Sequence, residues 1–308
     1  MTSTTVATSP GAGRPTVGFI GLGLMGQGFV KRLRKCGYPV VGYDIVPGKI
    51  DAIVPFGVQP GASPADVARR CDIVQVCVTT TDAVAEIVRG PQGLLSVAAA
   101  GPAGALAGKV LVDHSTTEIG TTRTLASELA AATGMPWVDA PVSGGPEAAG
   151  TGTLAIMAGG EAAAIERIMP VMAQLGRFTH MGDVGAGQAT KLVNQTLVLT
   201  NFCVMAEALR LAQSYGVDAT RIPQALASGY AGSNLLPVLF ERMIAEDFAP
   251  RGFARQVLKD LEMLQAAARE QHLAMPMASQ ALTLFRLLVA QGKSELDGAA
   301  VVTLYPQP

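Results

Sequence analysis

Thr16-Val17-Gly18-Phe19-Ile20-Gly21-Leu22-Gly23-Leu24-Met25-Gly26 is a short apolar run that breaks into a glycine-rich turn. Residues 16–20 have the continuous apolar character of a strand buried on both faces of a parallel sheet. Residues 25–35 read as a helix that stops before Gly37. Glycines spaced G-x-G-x-x-G between a strand and a helix have a definite physical use. Gly21 permits the tight turn, Gly23 lets backbone approach a pyrophosphate, Gly26 lets helix pack close on strand, and the helix N-terminus faces the phosphates. The spacing alone is a weak signal, and an acidic residue ending the next strand strengthens it. Residues 39–44 read as that strand, and Asp44 ends it, 18 positions beyond Gly26. A carboxylate there accepts hydrogen bonds from ribose hydroxyls and repels a 2′-phosphate. The next residue is Ile45 rather than an arginine, so NAD is expected in preference to NADP.

The alternation continues outward. Residues 73–78, 109–113, 137–141 and 153–158 read as further strands, with helices between most of them, for example over 119–132. Strand and helix at this spacing predict a parallel sheet covered on both faces. The pattern changes near residue 186. Residues 187–215 lack proline, carry apolar side chains at helical spacing and end at Gly216, a C-capping glycine. Segments 221–227, 235–245, 253–271 and 277–290 also read as helices, and only the chain's end carries a trace of strand pattern. An α/β domain over residues 15–180 and an all-helical domain over 181–308 are therefore expected, joined by the long helix near 187–215. Residues 1–14, rich in Thr, Ser, Gly, Ala and Pro, read as a disordered tail rather than a targeting signal.

Bulk properties narrow the function. The chain has 308 residues, 49% of them hydrophobic and 15% charged, which is ample for a real core. A net charge of −1 with no basic or acidic block argues against nucleic acid and anionic membrane surfaces as partners. Cys36, Cys71, Cys77 and Cys203 are scattered, which favours a reducing cytoplasm over a disulfide scaffold. His114, His180 and His272 are equally isolated, so local spacing assembles no metal site. The most apolar helical stretch, residues 192–211, is interrupted by Asn194, Gln195, Thr196, Thr200, Asn201 and Glu207, so no membrane span is expected. A helical domain this apolar is expected to bury surface against another copy, as a homodimer or homotetramer.

Oxidation of an alcohol by a dinucleotide needs a group that takes the hydroxyl proton, most often histidine. No sequence context selects one of the three histidines. Lysine serves when burial or cationic neighbours lower its pKa. Lys191 stands one helical turn into the long helix, after Gly182-Asp183-Val184-Gly185-Ala186-Gly187, with Asn194 three residues on and so on the same face. An amine and an amide at a glycine-rich helix start suit a hydroxyl and a carboxylate.

Four stretches then combine: Phe19-Ile20-Gly21-Leu22-Gly23-Leu24-Met25-Gly26, Asp139-Ala140-Pro141-Val142-Ser143-Gly144-Gly145, Gly182-x-x-Gly185-x-Gly187-x-x-x-Lys191-x-x-Asn194, and Lys259-Asp260-Leu261. In this order and at these separations, residues 16 to about 300 resemble the β-hydroxyacid dehydrogenase family, which includes 3-hydroxyisobutyrate dehydrogenase and tartronate semialdehyde reductase. The resemblance implies a Rossmann-type, doubly wound, mostly parallel sheet domain followed by an all-α domain like that of 6-phosphogluconate dehydrogenase. It implies NAD-dependent oxidation of a small 3-hydroxy acid, or the reverse reduction, with Lys191 as general acid/base. Ser143, Gly144 and Gly145 would cradle the substrate carboxylate, and Asn194 and Thr116 would also touch substrate. Gly21, Leu22, Gly23, Leu24, Met25, Gly26, Asp44, Ile45, Cys77, Val78, Asp82, Thr116 and Lys259 would contact the cofactor. No metal is implied.

Two departures bear on the pocket wall. Members often carry Leu-Pro at the end of the third strand, where Cys77-Val78-Thr79 stands here. Many carry a phenylalanine seven residues before the late lysine, whereas Phe253 precedes Lys259 by six. Alternatives on the same scaffold are an NADPH-dependent semialdehyde reductase or an imine reductase, and the latter usually lacks the lysine. The chain is short for 6-phosphogluconate dehydrogenase. A non-catalytic NAD-binding protein would be marked by loss of that lysine.

Overall fold

The computed structural model describes residues 13–99, 101 and 104–307. Most of the expected tail, residues 1–12, lies outside the described residues. The chain order is β1 (Val17–Ile20), α1 (Leu24–Lys35), β2 (Val40–Tyr43), α2 (Pro47–Asp51), β3 (Gln59–Pro60), α3 (Pro64–Arg70), β4 (Ile73–Val76), α4 (Thr81–Arg89), α5 (Ser96–Ala99), β5 (Val110–Asp113), α6 (Ile119–Thr133), β6 (Trp137–Asp139), β7 (Val142–Ser143), α7 (Gly145–Thr151), β8 (Leu154–Gly159), α8 (Ala162–Met172) and β9 (Gly176–Gly182). Helices α9 (Ala186–Ser214), α10 (Ile222–Leu226), α11 (Leu235–Ile244), α12 (Ala254–Glu270) and α13 (Pro276–Ala290) follow.

The sheet order is β3-β2-β1-β4-β5-β6-β8-β7, with β9 beside β8. The strands from β3 to β6 are parallel throughout. Every residue of β1, β4 and β5 is buried, as a sheet covered on both faces requires. One face packs Phe19 against Phe29, Leu33 and Ile168 from α1 and α8. The other packs Val74 against Val67, Val88 and Leu129 from α3, α4 and α6.

The expectation of a parallel sheet needs amendment at one edge. The strand read at 153–158 is β8, and it runs antiparallel to β6 and β7. Three strands were not foreseen. β3 and β7 are two residues each, too short to show a period. β9, Gly-Arg-Phe-Thr-His-Met-Gly, lies at an exposed edge and so has no apolar run to betray it. The trace of strand pattern near the end is instead a 3₁₀ helix over Gly298–Leu304, whose Ala299, Ala300, Val301 and Val302 are buried.

The helical part has its own apolar cluster, with Leu209, Phe240, Leu261 and Phe285 at its centre. Helix α9 links it to the sheet. Over 18 residues α9 is long and apolar enough to match a membrane span in composition, which corrects the expectation that no run does so. Its buried Gln188, Lys191 and Gln195 bond to the loop after β5, to β7 and to α12 respectively. These polar anchors give α9 a place within the fold that composition alone does not reveal.

Candidate active site

The glycine turn between β1 and α1 is built as its sequence requires. Gly21 has φ +98°, and a Cβ there would stand 2.3 Å from the Cys77 carbonyl oxygen. A Cβ on Gly26 would stand 1.9 Å from the Gly21 carbonyl oxygen, so helix and strand approach too closely for any side chain. Gly23, the N-cap of α1, differs: no side chain caps the helix, and nothing lies within 4 Å of where its Cβ would be. The first amides of α1 thus face open space, which suits an anion.

A cleft of about 600 Å³ runs from this turn along the C-terminal ends of β1, β2 and β4. Gly21, Gly23, Asp44, Ile45, Cys77 and Val78 line it. Asp44 is buried, and its Oδ2 accepts the Leu22 N–H at 2.7 Å while Oδ1 accepts the Val46 N–H at 2.9 Å. Lys49, on α2, places its Nζ 3.4 Å from Asp44 Oδ2. Leu22 is fully buried, and Met25 packs into the core under the sheet. Leu24 and Asp82 are exposed; the residues of α4 that line the cleft are Ala83, Glu86 and Ile87. The uncapped turn, the open space at Gly23 and the carboxylate ending β2 fit a dinucleotide.

Lys191 lies in the second turn of α9, 8% exposed. Its Nζ donates to the Val142 carbonyl oxygen at 2.8 Å, directly before Ser143-Gly144-Gly145. Burial pushes its pKa down to about 8; Asp260 opposes that shift and Lys259 adds to it. Gly144 and Gly145 have φ +132° and +73°, and a Cβ on Gly144 would meet Ala148 Cβ at 2.7 Å. Lys259 reaches from α12 to the Thr116 carbonyl oxygen at 3.1 Å and pairs with Asp260 at 2.8 Å. Helix α12 is thereby tied to the loop after β5.

The geometry adds roles that the sequence reading did not assign. Gln195, four positions beyond Lys191, is buried and donates from Nε2 to Asp260 Oδ2 at 2.5 Å, while Asn194 Nδ2 donates to Gln195 Oε1 at 2.9 Å. The i,i+4 spacing that shares a helix face with Lys191 was the available signal. Asp139, at the end of β6, accepts the Gly185 N–H at 2.7 Å and the Gln188 N–H at 2.8 Å, and so caps α9. Burial raises its pKa to about 6 against those hydrogen bonds, and raises that of the neighbouring Asp113 to about 7.

Two of the three histidines have other occupations. His114 is buried, stacks on Phe29 with centroids 4.8 Å apart, and bonds through Nδ1 to the Ala140 carbonyl oxygen at 2.7 Å. Burial holds its pKa down at about 4, so it stays neutral. His180 bonds to the carbonyls of Gly160 and Gly182. Among the described residues, no cluster of three His, Cys, Asp or Glu side chains could hold a metal.

This sheet, with a helical domain tied across its C-terminal edge, places the chain among the two-domain dinucleotide-binding oxidoreductases. Residues 16–187 match the NAD binding domain of 6-phosphogluconate dehydrogenase, and residues 185–305 match the family described as NAD-binding of NADP-dependent 3-hydroxyisobutyrate dehydrogenase. The 2-(hydroxymethyl)glutarate dehydrogenase of Eubacterium barkeri is 33% identical over 94% of this chain and 95% of its own length. The 2-hydroxy-3-oxopropionate reductase of Escherichia coli is 34% identical over 93% and 95%. A solved 3-hydroxyisobutyrate dehydrogenase of Mycobacterium tuberculosis with L-serine superposes with TM-score 0.79 at 28% identity, covering 95% of this chain and all of that one. The chain belongs to the β-hydroxyacid dehydrogenase family.

Proposed function

We propose that the protein oxidises a small 3-hydroxy acid to the semialdehyde or keto acid with NAD, or runs the reverse reduction. The single observation that carries this reading is the buried amine of Lys191. It lies beside the cradle of Ser143, Gly144 and Gly145, and its pKa is lowered to about 8, in the range where an amine both takes and gives a proton. Bound nicotinamide supplies the hydride acceptor. Lys191 takes the hydroxyl proton in oxidation and returns it to the carbonyl oxygen in reduction. The Ser143 hydroxyl and the Gly144 and Gly145 N–H groups hold the carboxylate, an anion cradle in physical terms. Asn194 and Gln195 form the amide wall beside it, and Thr116 faces substrate and nicotinamide together.

NAD is favoured over NADP because the Asp44 carboxylate stands where a 2′-phosphate would come. The division into residues 15–180 for nucleotide and 181–308 for substrate and association belongs to the same reading. On α9, Val193, Leu197, Val204 and Leu211 recur at spacings of four and seven residues and stay exposed, which supports a second copy covering that face. The four cysteines are unpaired, in keeping with a reducing compartment such as the cytoplasm.

Lys191→Ala tests the central role. Turnover of the best substrate in a panel of hydroxyisobutyrate, glycerate, threonate and serine should fall by about 10²–10⁴-fold, the usual worth of a general acid–base group. NADH affinity by fluorescence titration should stay within about twofold, since catalytic and cofactor-binding contacts are separate. Undiminished turnover in the variant would remove the assignment.

A further inference from the structure

We propose that Gln188 is a positioning residue: its side-chain amide fixes the Ser115-Thr116-Thr117 loop against α9 and so sets the distance from Thr116 to Lys191. The proposal rests on the reading of Thr116 and Lys191 given under Proposed function. Gln188 is fully buried. Its Nε2 donates to the Ser115 carbonyl oxygen at 2.8 Å, and its Oε1 accepts the Thr117 N–H at 3.1 Å. The amide therefore straddles Thr116, pairing with the residue on either side much as a neighbouring strand would. Lys191 is three residues further along α9 and on the same face.

The rest of the loop is held from other directions. Ser115 Oγ accepts the Val78 N–H at 3.0 Å, and the Ser115 N–H donates to Asp113 Oδ1 at 2.9 Å. Lys259 holds the Thr116 carbonyl from α12. Those contacts tie the loop to the strand ends and to the late helix; Gln188 ties it to the helix that carries Lys191. Its own N–H is fixed by Asp139 at 2.8 Å, so the whole residue is anchored before the side chain begins. The position needs a donor and an acceptor at once, which an amide supplies and an ionised carboxylate does not.

That requirement makes Gln188→Glu a test with a sign. Protonated, the new carboxyl donates to the Ser115 carbonyl and accepts from the Thr117 N–H; ionised, it sets an oxygen against the Ser115 carbonyl. Asp113, His114 and Glu118 flank this loop in the chain, and Asp139 at the end of β6, Cys77 after β4, Lys191 on α9 and the Lys259–Asp260 pair on α12 are the ionisable groups of the elements around it. All are present in wild type too, so the ratio of variant to wild-type kcat removes the pH dependence that the two proteins share. The ratio should climb about tenfold as pH falls from about 9 to about 6, as a buried carboxyl with a raised pKa takes up its proton. Gln188→Ala should lose at least about tenfold in kcat at every pH, with KM for NAD within about twofold, because a small misplacement of reacting groups is costly. Without dinucleotide, the Thr117 amide should exchange with deuterium faster in Gln188→Ala than in wild type.

A flat Gln188→Glu ratio across pH, or wild-type kcat in Gln188→Ala, overturns the proposal. Should wild type itself turn over no hydroxy acid, the proposed function fails separately. The exchange rate at Thr117 then decides whether Gln188 holds the loop: unchanged protection in Gln188→Ala rejects it.

Discussion

The turn over residues 21–26 and the turn over residues 182–187 both carry a strand into a helix, α1 in the first case and α9 in the second. Both are rich in glycine, and both begin with a glycine at positive φ, +98° at Gly21 and +138° at Gly182. At the helix N-termini they diverge. The amides of α1 have no side-chain cap, and the space at Gly23 is open. The amides of α9 are filled from within the protein, by the Asp139 carboxylate at Gly185 and Gln188. A Cβ on Gly187 would lie 2.4 Å from the Asp139 carbonyl oxygen and 2.6 Å from that of Met157. Glycine at Gly23 keeps room for a ligand, whereas glycine at Gly187 lets backbone touch backbone. A glycine-rich helix start is a binding site only when its N–H groups remain free. When they are filled internally, it becomes a rigid mount, here for Lys191.

Two substitutions to alanine would break this contrast if it is wrong. Gly187→Ala should be the more severe, because the methyl meets two carbonyl oxygens that strands β6 and β8 hold in place. A loss of about 3 kcal/mol or more is expected from such overpacking, read as a shift in urea midpoint. Gly23→Ala should leave that midpoint within about 1 kcal/mol of wild type, since its φ of −69° suits any residue and the methyl projects into open space. It should instead weaken NADH binding by about tenfold to a hundredfold, the worth of one or two hydrogen bonds to a charged group. Equal stability losses in the two variants would erase the distinction between an open and a plugged helix start.

The two turns also differ in how far the sequence discloses them. Glycine spacing together with its flanks made the first legible, because its context is local: strand, turn, helix and the following carboxylate at Asp44 lie within a few dozen residues. The second was legible as glycines followed by Lys191, but not as a mount. The group that plugs it, Asp139, is 46 residues from Gly185, and the loop it aligns through Gln188 is more than 70 residues away. Periodicity carries no information about such pairs. The same limit explains Gln195, whose partner Asp260 is 65 residues distant. The edge strand β9 stayed hidden for a different reason, since exposure on an outer edge removes the hydrophobic alternation that strands are read from.

The mount should also show in the pH dependence of oxidation. Only the neutral amine of Lys191 takes a proton. With burial holding its pKa near 8, below the ordinary lysine value of 10.5, kcat for oxidation should fall about tenfold per pH unit below 8 and level off above it. The reduction, which needs the ammonium, should run the other way and decline above pH 8. A pH–rate profile of kcat in both directions checks the sign. A single break near the ordinary lysine value would mean that α9 leaves the amine in water, and the second turn would then be a mount for something else.

The smallest effect is expected at the first turn, where the open site meets its charges. Asp44 gives one oxygen to the Leu22 N–H and the other to the Val46 N–H, so it braces the turn as well as lining the cleft. Lys49 sits 3.4 Å from it with its side chain 41% exposed, close enough to offset part of the repulsion that a 2′-phosphate would feel. The sequence reading weighed Asp44 and Ile45 and passed over this lysine, because it lies on α2 rather than at the strand end. Lys49→Ala should therefore shift the ratio of kcat/KM for NAD over NADP upward by about threefold, the scale of one partly exposed ion pair. Asp44→Asn, which removes the charge and keeps an acceptor for only one of the two bracing N–H groups, should move the same ratio downward and by more. If removing the lysine leaves the ratio where it was, discrimination belongs to Asp44 and Ile45 alone.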